Sequence, residues 1–365
     1  MKKLMASGVA LAAAAALAEC RVERTETNLP EGCYTVTVRF GDTAAATKNW
    51  VKAEGRRLML GEVDTAPGEF KTESFTVNTR TAQLPDGRKV GQMGGDGKEL
   101  MWDGKLTLDV FTEGAPPPSP AVSPAEGAVT IFVVGDSTVT DQDGEPWGSW
   151  GQCLPAHFKA GTAVANYARS GATLASLKSS LREDKLFSVA KPGDYLFIQY
   201  GHNDQKDKTD KLGNYTRRLG ALIDRAKAAG LKVLVVSSME RRRFDDSGKA
   251  YHTLREMAEA ARDTAAVKGV PFFDLNARSI VMYDALGPEG TKKIFNFSGR
   301  EDNTHHNMLG AYIFSRIVLD GARAAYPELA GRVRPGIGEY DFAHPSLDVR
   351  IPRSNKVETQ KPDEK

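Results

Sequence analysis

The chain has 365 residues, 41% hydrophobic and 26% charged, with 49 basic against 47 acidic side chains for a net charge of +2. That length suits two domains of ordinary size, and the composition is that of a globular protein. The charge balance leaves no footprint for nucleic acid, and no apolar run after residue 20 is long enough to span a bilayer.

Residues 1–19 are a different material. Lys2 and Lys3 precede an uncharged Ala/Leu-rich run from Leu4 to Ala18, the pattern of a secretory signal peptide, so the mature protein is expected outside the cytoplasm. Two readings of its end stay open. Ala16-Leu17-Ala18 fits cleavage before Glu19, and Leu17-Ala18-Glu19-Cys20 fits a lipoprotein site with Cys20 carrying the lipid. In the second reading that anchor is the chain's one contact with a membrane. Glu19 stands where a small residue is expected, which favours the first. Cys20, Cys33 and Cys153 are too few for a disulfide scaffold, and no Cys/His cluster has zinc-ligand spacing. Cys153 is read as a small buried apolar side chain.

Residues 28–112 alternate apolar and polar positions between turn residues, as in Tyr34–Phe40, Phe75–Thr79 and Leu106–Val110. This predicts a small all-β sandwich. A Pro/Ala/Ser-rich stretch, 113–128, reads as an extended joint. From 129 to 334 strands alternate with helical patterns. The strands are Ile131–Val134, Ala163–Tyr167, Tyr195–Gln199, Lys232–Val236 and Pro271–Asp274. The helices are Gly151–Lys159, Leu174–Leu181, Asn214–Ala229, Tyr251–Val267 and Asn307–Ala325. Such alternation predicts an α/β fold, a doubly wound parallel sheet with helices on both faces. The tail, 335–365, is polar and Pro-containing and is expected to be draped or disordered.

The apolar run Ile131–Val134 stops at Gly135-Asp136-Ser137, which puts a serine at the carboxyl edge of the sheet, where such folds carry their sites. A serine nucleophile needs a base, an orienter for the base and oxyanion donors. Other segments supply these types: Ser170-Gly171 after the second strand, Gly201-His202-Asn203-Asp204 after the third, and Asp302-Asn303-Thr304-His305 before the last helix.

In order, these four blocks resemble those of the SGNH (GDS-type) esterase superfamily, over residues 129 to about 325. Within it the chain looks most like the rhamnogalacturonan acetylesterases. The features that carry this are Thr138 after Gly-Asp-Ser, Trp147-Gly148, Thr304-His305, and the stretch Arg241–Asp245. The β region resembles the galactose-binding-like module joined to some bacterial members. The resemblance implies a flavodoxin-like sheet and a metal-independent Ser-His-Asp acyl-enzyme mechanism without cofactor. Ser137 would be nucleophile, His305 general base and Asp302 its orienter. The oxyanion hole would combine the N–H groups of Ser137 and Gly171 with the side-chain amide of Asn203. It further implies a partner that is an acetylated pectic polysaccharide or oligosaccharide, and a monomer is expected. Acetylated xylan or lipid esters are alternative substrates, and a carbohydrate-binding protein on an inactive hydrolase fold is the alternative of another class.

Several neighbours admit a blander role. His306 is read as a rim or helix-start residue, His202 as a structural hydrogen-bonder, and Asp136 as strand-end structure. His157, His252 and His344 are taken as surface or helix residues. Trp147 and Trp150 offer a stacking face to a sugar, or burial under the first loop. Arg241, Arg242 and Arg243 offer a cation to an acidic substrate, or a solvated face.

Overall fold

A computed structural model describes residues 20–92, 100–296 and 301–351. The expected signal peptide, 1–19, and the end of the tail lie outside the described residues.

The N-terminal part is all-β. Its strands are β1 (Cys20–Asn28), β2 (Gly32–Phe40), β3 (Thr47–Ala53), β4 (Arg57–Thr65), β5 (Lys71–Thr79), β6 (Lys105–Glu113) and β7 (Ala121–Pro124). They form two antiparallel sheets, ordered β1-β6-β3-β4 and β5-β2-β7. The alternation in β2 has its physical reason here: Tyr34, Val36, Val38 and Phe40 turn inward onto Val51, Leu60, Leu108 and Val110 of the other sheet. β1 begins ahead of the expected boundary at 28, and β7 lies inside the stretch read as a joint. Tyr34, Thr35, Val36 and Thr37 of β2 pair with residues 121–124, so that stretch closes the sandwich as an edge strand. Pro124 sits at the end of this edge, where a missing N–H is tolerated.

The C-terminal part opens with β8 (Val129–Gly135), β9 (Trp147–Gly148) and α1 (Trp150–Cys153), which passes into a 3-10 turn, Leu154–His157. The helix expected over 151–159 is thus two short pieces, with Pro155 at the start of the second. Next come β10 (Thr162–Asn166), α2 (Leu174–Ser179), α3 (Arg182–Val189), β11 (Tyr195–Gln199), α4 (Lys211–Ala228), β12 (Lys232–Val236), α5 (Arg255–Lys268) and β13 (Phe272–Phe273). The chain then forms α6 (Leu275–Lys292), broken at Gly287 before Pro288, followed by β14 (His306–Asn307) and α7 (Met308–Ala325). Sequence patterning had no helix at α3 or α6.

The parallel sheet runs β10-β8-β11-β12-β13. This is the flavodoxin-like order, and its switch point lies beside β8. Both faces are covered, which is why β8 reads as a continuous apolar run rather than an alternating one. Ile131 and Val133 pack with Trp150, Phe314 and Ile317 on one face. Phe132 and Val134 pack with Leu219, Ile223 and Ala261 on the other. That second core also takes in Leu84, Val90, Met101 and Trp102 from the β region, and Trp102 meets Tyr167 edge-on at 5.1 Å. The described tail is draped over the surface: Tyr340 is buried against the first core and its N–H donates to Asp320.

Candidate active site

The carboxyl ends of the parallel strands converge on a cleft of about 390 Å³, lined among others by Ser137, Gly171, Asn203, Trp147, Arg241 and His305. Ser137 follows β8 on a turn that only glycine permits at 135. A Cβ there would lie 2.6 Å from Val139 Cγ2 and 2.7 Å from the Gln199 carbonyl. Asp136, fully buried, holds the turn: its Oδ1 accepts the Thr138 N–H at 3.0 Å and the Thr138 hydroxyl at 2.9 Å. Thr138 Oγ1 in turn accepts from Gln199 Nε2 at 2.7 Å, and Gln199 Oε1 accepts the Trp150 indole N–H.

Ser137 Oγ lies 2.8 Å from His305 Nε2, and His305 Nδ1 lies 2.8 Å from Asp302 Oδ2. With Nδ1–H donating to the carboxylate, Nε2 is left to accept the serine proton. The other oxygen, Asp302 Oδ1, accepts the backbone N–H groups of Thr304 at 2.9 Å and His305 at 3.0 Å. Half-burial alone would raise this carboxyl. The hydrogen bonds from the His305 ring and the two N–H groups outweigh it and hold Asp302 well below the usual carboxylate range. The loop is pinned at its base, where Asn296 exchanges backbone bonds with Asp302 and His305.

Gly171 lines the cleft with φ +74°, and a Cβ there would meet nothing within 4 Å. Asn203 is held from two directions. Its Nδ2 donates to the Ala172 carbonyl at 3.1 Å and its Oδ1 accepts from Lys206 Nζ at 2.9 Å. Because an ammonium only donates, Lys206 fixes the amide with its N–H groups away from the lysine, leaving one for the cleft.

Of the residues given a substrate role from sequence, the structure brings two to the cleft. Trp147 is 38% exposed, and Arg241 lies in the loop after β12 with Nη2 3.3 Å from the His202 carbonyl. The other two are elsewhere. Trp150 is 1% exposed, inside the core. Arg242 is buried, with Nε on Thr291, Nη2 on the Pro288 carbonyl, and Nη1 on Glu301 and Asn303. It ties the segment carrying Asp302 to the break in α6, and its neighbour Arg243 is exposed.

Two histidine expectations also change. His306 is a core residue, between the Phe295 and Phe314 rings at 4.3 and 4.4 Å, and burial pushes its imidazole down to about 3. His157 is buried with Nε2 2.7 Å from Ser315 Oγ, and burial likewise takes it down to about 3. His252 is partly covered, its Nδ1 3.4 Å from Glu240. His202 is buried, with Nδ1 3.5 Å from Asp136 Oδ2 but neither ring nitrogen in a hydrogen bond among the described residues, and His344 is exposed. Cys153 is fully buried, and burial pushes its thiol up to about 12.

Lys206 and Gln142 line the cleft without having been singled out from sequence. A lysine three residues after Asn203 on a single 3-10 turn was a usable signal. Gln142, whose Nε2 donates to the Ser137 carbonyl, lies in a loop with no periodicity to mark it. Among the described residues no group of three or more His, Cys, Asp or Glu side chains is placed to hold a metal ion, and no helix is long and apolar enough to cross a membrane.

The model of the GDSL-like lipase/acylhydrolase family matches residues 133–311. Rhamnogalacturonan acetylesterase RhgT of Bacillus subtilis is 37% identical over 209 residues, covering 53% of this chain and 89% of that protein. The chain belongs to the GDSL-like lipase/acylhydrolase family. This GDSL-like protein is therefore an ester hydrolase. A second relative, the probable rhamnogalacturonan acetylesterase YesY of Bacillus subtilis, is 30% identical over 200 residues, covering 53% of this chain and 92% of its own. The crystal structure of Bacillus subtilis YxiM has a similar fold, with a TM-score of 0.53 at 24% identity over 82% of this chain and 79% of that one.

Proposed function

We propose that this ester hydrolase removes acetyl groups from a pectic polysaccharide, rhamnogalacturonan, outside the cytoplasm. The observation that carries the reading is the continuous relay from Ser137 Oγ through His305 to Asp302, at 2.8 Å for each contact. Ser137 Oγ attacks the acetyl carbonyl as its proton passes to His305 Nε2, and Asp302 stabilises the imidazolium. The oxyanion meets the N–H groups of Ser137 and Gly171 and the Asn203 amide, and each such donor contributes about 3–4 kcal/mol in the transition state. His305 returns the proton to the departing sugar oxygen, leaving an acetyl ester on Ser137. Water, deprotonated by His305, then releases acetate and restores the serine.

Three features of the cleft suit a polyuronide. Trp147 offers an exposed indole face to a sugar ring, and Arg241 and Lys206 bring cations to a galacturonate carboxylate. The names of RhgT and YesY point the same way. The test is acetate release from acetylated rhamnogalacturonan and from acetylated xylan, by the wild type and by Ser137→Ala. Release from the pectic polymer that vanishes in the folded variant is expected. Residual wild-type turnover in the variant overturns the nucleophile, and a preference for xylan overturns the substrate.

A further inference from the structure

The turn between β3 and β4 belongs to the β region, yet it sits against the loop that follows the serine. Its backbone is unusual: Glu54 and Arg56 have φ of +55° and +66°, a left-handed conformation that side-chain-bearing residues seldom adopt. From this turn Arg56 reaches out of the sandwich. Arg56 Nη1 donates to the Gln142 carbonyl at 2.9 Å and approaches the Trp147 carbonyl at 3.4 Å, and Nη2 donates to Glu145 Oε1 at 2.9 Å. One guanidinium therefore grips both ends of residues 142–147. Gln152 Nε2 closes the same corner, reaching the carbonyls of Gly55, Arg56 and Gln142.

The gripped loop touches both halves of the relay. On one side the Gln142 side chain donates to the Ser137 carbonyl. On the other, β9 pairs with β14, laying Gly148 and Trp147 beside His306 and Asn307, directly after His305. Between them stands the Trp147 indole, facing the cleft. A displacement of this loop moves the serine, the histidine and the sugar face together.

We propose that Arg56 is a positioning residue for the hydrolase, and that the β region is a structural part of the active site rather than a tethered accessory. This rests on Ser137 as the nucleophile. A misplacement of about 1 Å in such a constellation lowers turnover by up to about 100-fold.

The test uses the full chain with Arg56→Ala, Arg56→Lys and, as a control in the same sandwich, Arg24→Ala, which removes a pair with Asp109 that does not touch the loop. The readouts are kcat and KM on nitrophenyl acetate, and the rate at which an organophosphate labels Ser137, both taken well below each variant's melting midpoint. Arg56→Ala is expected to lose more than about fivefold in both kcat and labelling rate, Arg56→Lys to recover part of it, and Arg24→Ala to match the wild type. A smaller loss in Arg56→Ala, or an equal loss in Arg24→Ala, overturns the proposal. A label found on a residue other than Ser137 overturns the nucleophile instead, so the two failures are distinguishable.

Discussion

An amide and an ammonium side by side show how residue identity is used in the cleft. Asn203 carries an uncharged donor, and Lys206 holds that donor in place without entering the relay. An asparagine amide can sit either way round, and its carbonyl facing the cleft would repel an oxyanion. Asn203→Ala is accordingly expected to lower kcat by about 100- to 1,000-fold with little change in KM, as for removal of one oxyanion donor. Steady-state kinetics on nitrophenyl acetate checks this, and a change confined to KM would remove Asn203 from the oxyanion hole. Asp302 shows the same economy. Three N–H groups converge on its two oxygens, which keeps it ionised and the imidazole oriented.

At the scale of elements, strand and helix ends decide which of two neighbours reaches substrate. β9 ends at Gly148, where a Cβ would meet Met308 Sδ at 2.8 Å and Ala311 Cβ at 2.9 Å, so the chain presses against α7. Trp147, just before this contact, turns outward, while Trp150, at the start of α1, turns into the core. The two tryptophans should therefore fail differently. Trp150→Ala is expected to cost about 3–5 kcal/mol of stability, read by chemical denaturation. Trp147→Ala is expected to leave stability within about 0.5 kcal/mol and raise KM for the polysaccharide. The reverse pattern would exchange their roles. Arg241 and Arg242 divide in the same way after β12, one lining the cleft and one locked against α6.

Across the whole molecule the β region and the hydrolase region share buried charge. Arg57 and Asp141 form a pair with both side chains at 0% exposure, and Asn166 Nδ2 donates to the same carboxylate at 2.8 Å. Arg80, also buried, reaches the Asn166 carbonyl and lies over the Trp102 and Tyr167 rings. Glu54 lies among these cations, yet burial dominates and pushes its carboxyl up to about 8 from an ordinary 4.5. The folded state thus keeps a proton that the unfolded chain releases, and stability falls as pH rises from about 4.5 to about 8. His157 and His306 act in the opposite sense: held down to about 3 against an ordinary 6.5, they cost stability as pH falls below that value. The melting midpoint is therefore expected to peak near pH 6.5 and decline on both sides. Glu54→Gln should flatten the alkaline decline, and an unchanged slope in that variant would assign it to other groups.

The amino-acid sequence by itself determined the parallel sheet, the places of its strands, and the blocks that hold Ser137, Gly171, Asn203, Asp302 and His305. Those signals are local: apolar runs stopped by glycine, and short spacings such as that from Asp302 to His305. Helices α3 and α6 escaped because their apolar positions follow no clean helical period, and α6 is broken at Gly287. Only the tertiary structure decided between Trp147 and Trp150 and between Arg241 and Arg242, and it moved His306 from an expected rim or helix-start place into the core. Residues this close in sequence differ in which way they point, and that is set by what packs against them. The union of the two regions was likewise invisible, because Arg57 and Asp141 are 84 positions apart and nothing local marks either as the other's partner. Within what reads as a Pro-rich joint, residues 121–124 form an edge strand, because the backbone groups of β2 needed partners and this part of the chain was there to supply them.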